Sequence, residues 1–398
     1  IDSAAANLKK RMHNCDDSIT FEANILDASS IESAIKKAKK HAKSGNNIQA
    51  IKILNDILIR FPNNKIARQQ MEKIRLLGKN GGQKFVDLTQ SQLSNILSLY
   101  NNGNFHAVLD ETVLLLKKHN KSVQILLIRG AAEIALGKCN DAIASYEHIL
   151  TIEPNSVDAY TNLGAASRLL GDMNKAIAYY RKALILRPNH INAWLNMGNA
   201  HQENEDLEKA TECYKKVIGI KPDHSEAYNS LGVTFQKLGR INDAISSYKK
   251  SIFLDSESYE AHFNLGVAHY KQREITLAIA AYQESLKINS DYAEAWNNLG
   301  TAEKERGNRD KSIDSYERAI AINPSFAEAH SNLGLVYEDK ACADQAILSY
   351  EKALKLKPDN LEISTNLAKI LYLSGEYQRA GEIFRRFNTS ESKYWLLK

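Results

Sequence analysis

The chain has 398 residues, 43% of them hydrophobic, 25% charged and 8% aromatic, and its 52 basic against 47 acidic side chains leave a formal charge of +5. This is the composition of a globular protein able to bury a sizeable core, not of a disordered or membrane-embedded one, and the small imbalance gives no reason to expect a nucleic-acid partner. No stretch has the apolar length of a membrane span, and the opening IDSAAANLKKRM lacks the apolar run of a secretory signal, so a cytoplasmic setting with no membrane partner is expected.

Residues 1–29 mix Ala, Asp, Ser and Asn without a sustained period. Ile31 to Lys43 and Asn47 to Phe61, closed by Pro62, read as a helix pair, and a lone helix follows from Asn64 to Leu77, so that residues 30–77 make one repeat-like unit. On the first of these helices Ile31, Ala34, Ile35, Ala38 and Ala42 form an apolar stripe. Lys36, Lys37, Lys39, Lys40, His41 and Lys43 lie opposite it. That run has the composition of a patch for acidic lipid or nucleic acid, but the amphipathic pattern reads first as a solvated helix face. Residues 78–88 contain the linker GKNGGQ, where a hinge is expected. It is not a phosphate loop, because Gln83 replaces the second required glycine and Phe85 follows Lys84. Thr89 to Ser122 is a degenerate unit, tied to the clearer repeats after it by Gly103, which lies 34 residues before Gly137.

From Val123 to Tyr394 a period of 34 residues runs through eight units without an insertion, and residues 395–398 begin one more helix. The triplets Asn162-Leu163-Gly164, Asn196-Met197-Gly198, Ser230-Leu231-Gly232, Asn264-Leu265-Gly266, Asn298-Leu299-Gly300, Asn332-Leu333-Gly334 and Asn366-Leu367-Ala368 mark it. Small residues from Ala142 to Ala380, aromatics from Tyr146 to Phe384, and Pro154, Pro188, Pro222, Pro324 and Pro358 recur in the same register. Each unit reads as two amphipathic helices, for example Val157 to Leu170 and Asn174 to Leu186, joined by a turn at Gly171-Asp172. Counting Val157 as a first place, the fourth, seventh, eighth and eleventh places share one helical face and are expected to be buried. Glycine at the eighth place and alanine at the twentieth allow close helix approach, the aromatic at the twenty-fourth fills the space beside them, and proline ends the second helix.

The order Trp/Tyr, Leu-Gly, Ala, Phe/Tyr, Ala, Pro at these offsets, carried by Trp194-x2-Met197-Gly198 and Trp296-x2-Leu299-Gly300, resembles the tetratricopeptide repeat. The stretches SFAEAHSNLGLVYEDK and YEKALKLKPDN are similar to repeats of O-linked N-acetylglucosamine transferases and of repeat-bearing bacterial relatives. The resemblance implies an all-α, right-handed superhelical solenoid of stacked helix-turn-helix repeats whose first helices line a concave wall. It implies a scaffold that holds a protein or an extended peptide, with no catalysis and no cofactor. The alternative is the substrate-recognition arm of a larger enzyme whose catalytic domain lies outside this chain.

No HExxH, GxSxG or GxGxxG motif occurs. Cys15, Cys139, Cys213 and Cys342 are scattered, which suggests buried reduced thiols rather than disulfides or zinc ligands. His201, His262, His269 and His330 occupy fourth or eleventh places and read as packing residues rather than metal ligands.

The sixth place carries Asn162, Asn196, Asn264, Asn298, Asn332 and Asn366, with Ser230 the exception. Being off the expected apolar face, these amides should form an accessible ladder, one per unit. An amide both donates and accepts, which matches the N–H and C=O of an extended backbone. The resemblance to the transferases implies the same, since their ladder holds peptide substrates; the plainer reading is that asparagine is common at this place in such repeats. Gln202, Gln236, Tyr270 and Lys304 follow along the twelfth place, and Asp158, Glu226, Glu260, Glu294, Glu328 and Glu362 form an acidic second-place line that favours partners with basic character. The lysines and arginines with which chaperone-binding repeats clamp a terminal carboxylate are absent. The chain stops in Lys393-Tyr394-Trp395-Leu396-Leu397-Lys398, inside an expected helix, so a cut fragment that self-associates through its apolar end is anticipated.

Overall fold

The structure, a computed structural model, describes residues 31–44, the helical positions 50, 51, 53, 54 and 57, residues 65–77 and residues 89–387. The expectations for residues 1–29, for the linker at 78–88 and for the C-terminal end fall outside the described residues. Those that are described form helices and short connections, with no strand among them. They divide into two compact units, Ile1–Leu186 and Arg187–Lys398.

The first unit contains α1 (Ile31–Lys43), α2 (Lys65–Leu77), α3 (Gln90–Asn101), α4 (Phe105–Lys118), α5 (Val123–Ala135), α6 (Cys139–Ile152), α7 (Val157–Leu169) and α8 (Met173–Leu186). The apolar stripe of α1 is consumed locally: Ala34, Ile35 and Ala38 pack with Ala50, Ile53, Leu54 and Ile57 and with Ala67, Met71 and Ile74 of α2. Its lysines 36, 37, 39, 40 and 43 all point into solvent. The degenerate unit is a helix pair despite its missing landmarks, because Thr89 and Gln92 build a capping box at the start of α3 and Gly103 turns the chain with φ +74°.

The second unit stacks six pairs: α9 (Ile191–Glu203) with α10 (Leu207–Ile220), α11 (Ser225–Lys237) with α12 (Ile241–Leu254), α13 (Tyr259–Lys271) with α14 (Ile275–Ile288), α15 (Ala293–Glu305) with α16 (Arg309–Ile322), α17 (Ala327–Asp339) with α18 (Ala343–Leu356), and α19 (Leu361–Leu373) with α20 (Tyr377–Phe387). Within the unit, helices consecutive in the chain pack on one another from α9 to α20. What locks a pair is the eighth-place glycine. A Cβ on Gly232 would stand 2.5 Å from Cε1 of Tyr248, whose ring is fully enclosed, and the same meeting recurs between Gly164 and Tyr180 and between Gly300 and Tyr316. The turn within each pair requires a left-handed residue at the fifteenth place. Glycine supplies it at 171, 239, 307 and 375, whereas Glu205, Arg273 and Ala341 adopt it at φ 61°, 62° and 57° against the usual steric penalty for a side chain.

The expected face is buried at most of its seventh, eighth and eleventh places, among them Leu163, Gly164, Ser167, Leu299, Gly300 and Glu303, but it is wider than expected and its fourth place is mixed. From Val123 onwards the third and tenth places are enclosed as well, among them Ala193, Ala227, Ala261, Ala200, Thr234 and Ala268; at the fourth place His330 and Ser364 are buried, while Trp194, Tyr228, His262 and Trp296 are only half-buried. The reason is visible in their rings, which reach sideways to the preceding connection: Trp194 Nε1 donates to the Pro188 carbonyl at 2.7 Å and Trp296 Nε1 to that of Ser290 at 2.9 Å. His262 and His330 do the same through Nε2 to Ser256 and Pro324, at 3.2 and 3.1 Å. Four of the first helices start on side-chain caps three residues before an enclosed alanine. Ser156 and Ser258 accept from the N–H groups of Ala159 and Ala261, and the Nδ1 atoms of His190 and His224 from Ala193 and Ala227. Of the cysteines, Cys213 is buried, but Cys139 and Cys342 are half-exposed at second-helix starts; none of the three forms a disulfide, and Cys15 lies outside the described residues.

Candidate peptide-binding face

In the second unit successive first helices approach one another, α9 with α11, α11 with α13, α13 with α15 and α15 with α17, and successive second helices show no comparable approach. A stack closer on one side bends towards that side, so its first helices line the inner side of this unit. The small residues at third, eighth and tenth places permit the approach.

The sixth place sits at the seam between neighbouring first helices rather than on a crest. Asn264 Nδ2 donates to Oδ1 of Asn229 in the preceding repeat at 3.1 Å, and Asn332 Nδ2 to Oδ1 of Asn297 at 3.1 Å. Asn297 Nδ2 in turn donates to Asn298 Oδ1 at 3.3 Å. Asn162, Asn264, Asn298, Asn332 and Asn366 are accordingly half-buried. Asn196 is only 5% exposed, which corrects the expectation that every sixth-place amide is accessible; a seam position can close over its side chain where a crest position cannot. In the first unit Asn162 stands on α7.

The twelfth-place residues are structural as well as facing inwards. Gln202 Nε2 donates across the seam to Thr234 Oγ1 at 2.7 Å and reaches the Ser230 carbonyl at 3.4 Å. Gln236 is half-buried with Oε1 enclosed, and the Tyr270 hydroxyl donates to Glu305 of the next repeat. Burial, reinforced by that carboxylate, raises the phenol above its ordinary range. Along the second place, Glu226, Glu260, Glu294, Glu328 and Glu362 are exposed, and Lys357 neutralises Glu328.

Between the two amide seams lies an aromatic one. Tyr292 meets Tyr259 edge-on at 5.3 Å and Phe263 at 4.9 Å, and burial with nearby Glu294 and Tyr259 pushes its phenol up to about 12. The fifth-place amides and this aromatic seam were not singled out from the sequence as site residues. Their signal was present in the 35-residue spacing of Asn229 to Asn264 and of Asn297 to Asn332, which a search at the repeat period of 34 passes over. The histidines face protein groups: His201 Nδ1 lies 3.3 Å from Asp206 and His269 Nδ1 2.5 Å from Glu274 across the turns, both rings buried. No grouping of metal-ligating side chains occurs among the described residues.

No curated protein sequence matches the chain. Among solved structures it is similar to MamA, with 37% identity over 41% of this chain and 95% of that one (TM-score 0.39). It is also similar to the Cut9–Hcn1 hetero-tetramer of the APC/C, with 18% identity over 86% of this chain and 64% of that one (TM-score 0.53), a likeness of fold alone. A third is YrrB, described as a TPR protein with an unusual peptide-binding site, with 21% identity over 46% of this chain and 95% of that one (TM-score 0.38). Family models described as TPR or tetratricopeptide repeat match residues 157–190, 191–224, 231–293, 300–340 and 343–389, so the chain belongs to the tetratricopeptide-repeat proteins.

Proposed function

We propose that the first-helix face of the second unit binds an extended segment of a partner protein, chiefly through the partner's backbone. The observation that carries this reading is the pair of amide seams. Each cross-repeat bond consumes one N–H of Asn264 or Asn332 and leaves that side chain's oxygen, with a second N–H, for a ligand; Asn229 keeps both of its N–H groups. The bonds hold these groups in place before any ligand arrives, which lowers the ordering cost of binding. YrrB is described as binding peptide, and the concave faces of repeat solenoids are common binding surfaces, which supports the assignment of class. Asn298, Asn366, Gln236 and Tyr270 extend the same face, Gln202 through the oxygen its seam bonds leave over; Asn162 and the buried Asn196 mark the same place in the neighbouring repeats.

The test is to select peptides from a random display library on the full chain and measure their affinity for the wild type and for Asn264→Ala/Asn298→Ala/Asn332→Ala. The variant is expected to bind at least about tenfold more weakly, the loss of one or two ligand hydrogen bonds. Backbone N-methylation of the selected peptide should weaken binding more than alanine replacement of its side chains. Undiminished binding by the triple variant, or tolerance of N-methylation throughout, refutes the reading.

A further inference from the structure

The described residues carry one strong concentration of unbalanced charge outside the unit that holds the amide seams, on α1. Its five lysines against a single glutamate put a net +4 on 13 residues of a chain whose total is +5. At 100° per residue, Lys36, Lys39, Lys40 and Lys43 fall within about 100° of arc and along about 10 Å of helix, with Lys37 at the margin. All five are exposed and none makes an ion pair among the described residues. The opposite stripe, Ala34, Ile35 and Ala38, is 2%, 5% and 0% exposed in the core shared with α2, so the helix is held with its basic face outward.

We infer that this face is an electrostatic docking surface for an anionic lipid bilayer. It goes beyond the peptide-binding reading and uses none of its residues. The choice among polyanions rests on the composition of the helix: IESAIKKAKKHAK has no arginine for bidentate contact with bases or phosphates and no phenylalanine, tyrosine or tryptophan for stacking on a strand. Lysine ammonium groups act as point charges, suited to a diffuse layer of headgroups, where each adds to surface attraction and salt screens them together. With the apolar stripe already buried, the contact is peripheral and needs no insertion. No helix among the described residues is long and apolar enough to cross a membrane.

The experiment is co-sedimentation of the full chain with vesicles of phosphatidylcholine alone and with phosphatidylserine added, in about 0.1 M and about 1 M salt. Binding is expected only with phosphatidylserine and only at the lower salt. Lys36→Gln/Lys40→Gln/Lys43→Gln should lower the partition coefficient about a hundred-fold, at about five-fold per lysine, with an unchanged circular dichroism spectrum. The control, Lys216→Gln/Lys249→Gln/Lys250→Gln on second helices of the other unit, should bind as the wild type does. Equal binding to both vesicles, retention by the α1 variant, loss in the control, or no vesicle binding with tight binding to labelled DNA or RNA each overturns the proposal.

Discussion

Two glycines of the second unit should respond in opposite directions to the same substitution. Gly219 lies exposed in α10 with nothing within 4 Å of where a Cβ would stand, so Gly219→Ala should stabilise by the helix-propensity difference, about 1 kcal/mol. Gly232→Ala gains the same term but places its methyl 2.5, 2.7 and 3.0 Å from Cε1, Cδ1 and Cζ of Tyr248. Carbon atoms prefer about 3.5–4.0 Å, so a ring with 0% exposure must yield by about 1 Å inside a close-packed layer. Overpacking of that kind costs about 1–3 kcal/mol, leaving a net loss of about 0–2 kcal/mol and a gap between the two variants of about 1–3 kcal/mol. Urea midpoints by circular dichroism give the sign. Hydrogen exchange resolved by helix gives the place, since repeat arrays do not have to unfold as one unit. Exchange should quicken in α11, α12 and their neighbours and stay unchanged in α19. Adding Tyr248→Leu to Gly232→Ala should cost less than the two changes separately, because the ring is what the methyl meets. If Gly232→Ala stabilises as much as Gly219→Ala, the steric account of the eighth place is wrong.

Two further outcomes concern the turns and His330. Ala341→Gly should raise the melting point, stabilising by about 0.5–1 kcal/mol, because the left-handed penalty at φ 57° exceeds glycine's greater loss of chain entropy; an unchanged or lower melting point contradicts this. Burial lowers the His330 pKa below its ordinary 6.5, against a smaller opposing effect of its bond to Pro324. The unfolded chain therefore takes up the proton first, so the stability contributed by the neutral ring is present above about 6.5 and is lost as the pH falls from there towards the lowered folded value. Wild type should thus lose more stability on acidification through that window than His330→Gln; equal losses would exclude the ring as the cause.

How much of this could be read beforehand differs between fold and face. Helix positions follow from the 34-residue register, and α1 ends where its pattern ends, at Lys43. The pairing of Gly164 with Tyr180 follows from the same register, because a glycine and an aromatic recurring sixteen residues apart have a steric reason to meet. The sixth place was harder. A helical wheel shows which side of one helix a residue occupies, but whether Asn196 or Asn264 lies on a crest or in a seam depends on how the next helix is rotated against it. That rotation is set by third- and tenth-place alanines contributed by separate repeats. Trp194 and Trp296 depart from expectation for a related reason: their place on the helical wheel suggested full burial, whereas their indole N–H groups serve the connections before them.

The alternation of seams bears on how nearly identical repeats find their own neighbours. Repeats of one length and one core could dock one position out of step at little cost in apolar contact. At the fifth place, however, Asn229, Phe263 and Asn297 follow one another, so the seams run amide, aromatic, amide. A slip by one repeat would part Phe263 from the Tyr292 ring and set Asn229 beside that ring instead, so an amide would replace the aromatic contact at the slipped junction. The seams thus act as keys that distinguish the correct neighbour from its copies, during folding of one chain and against exchange of repeats between two.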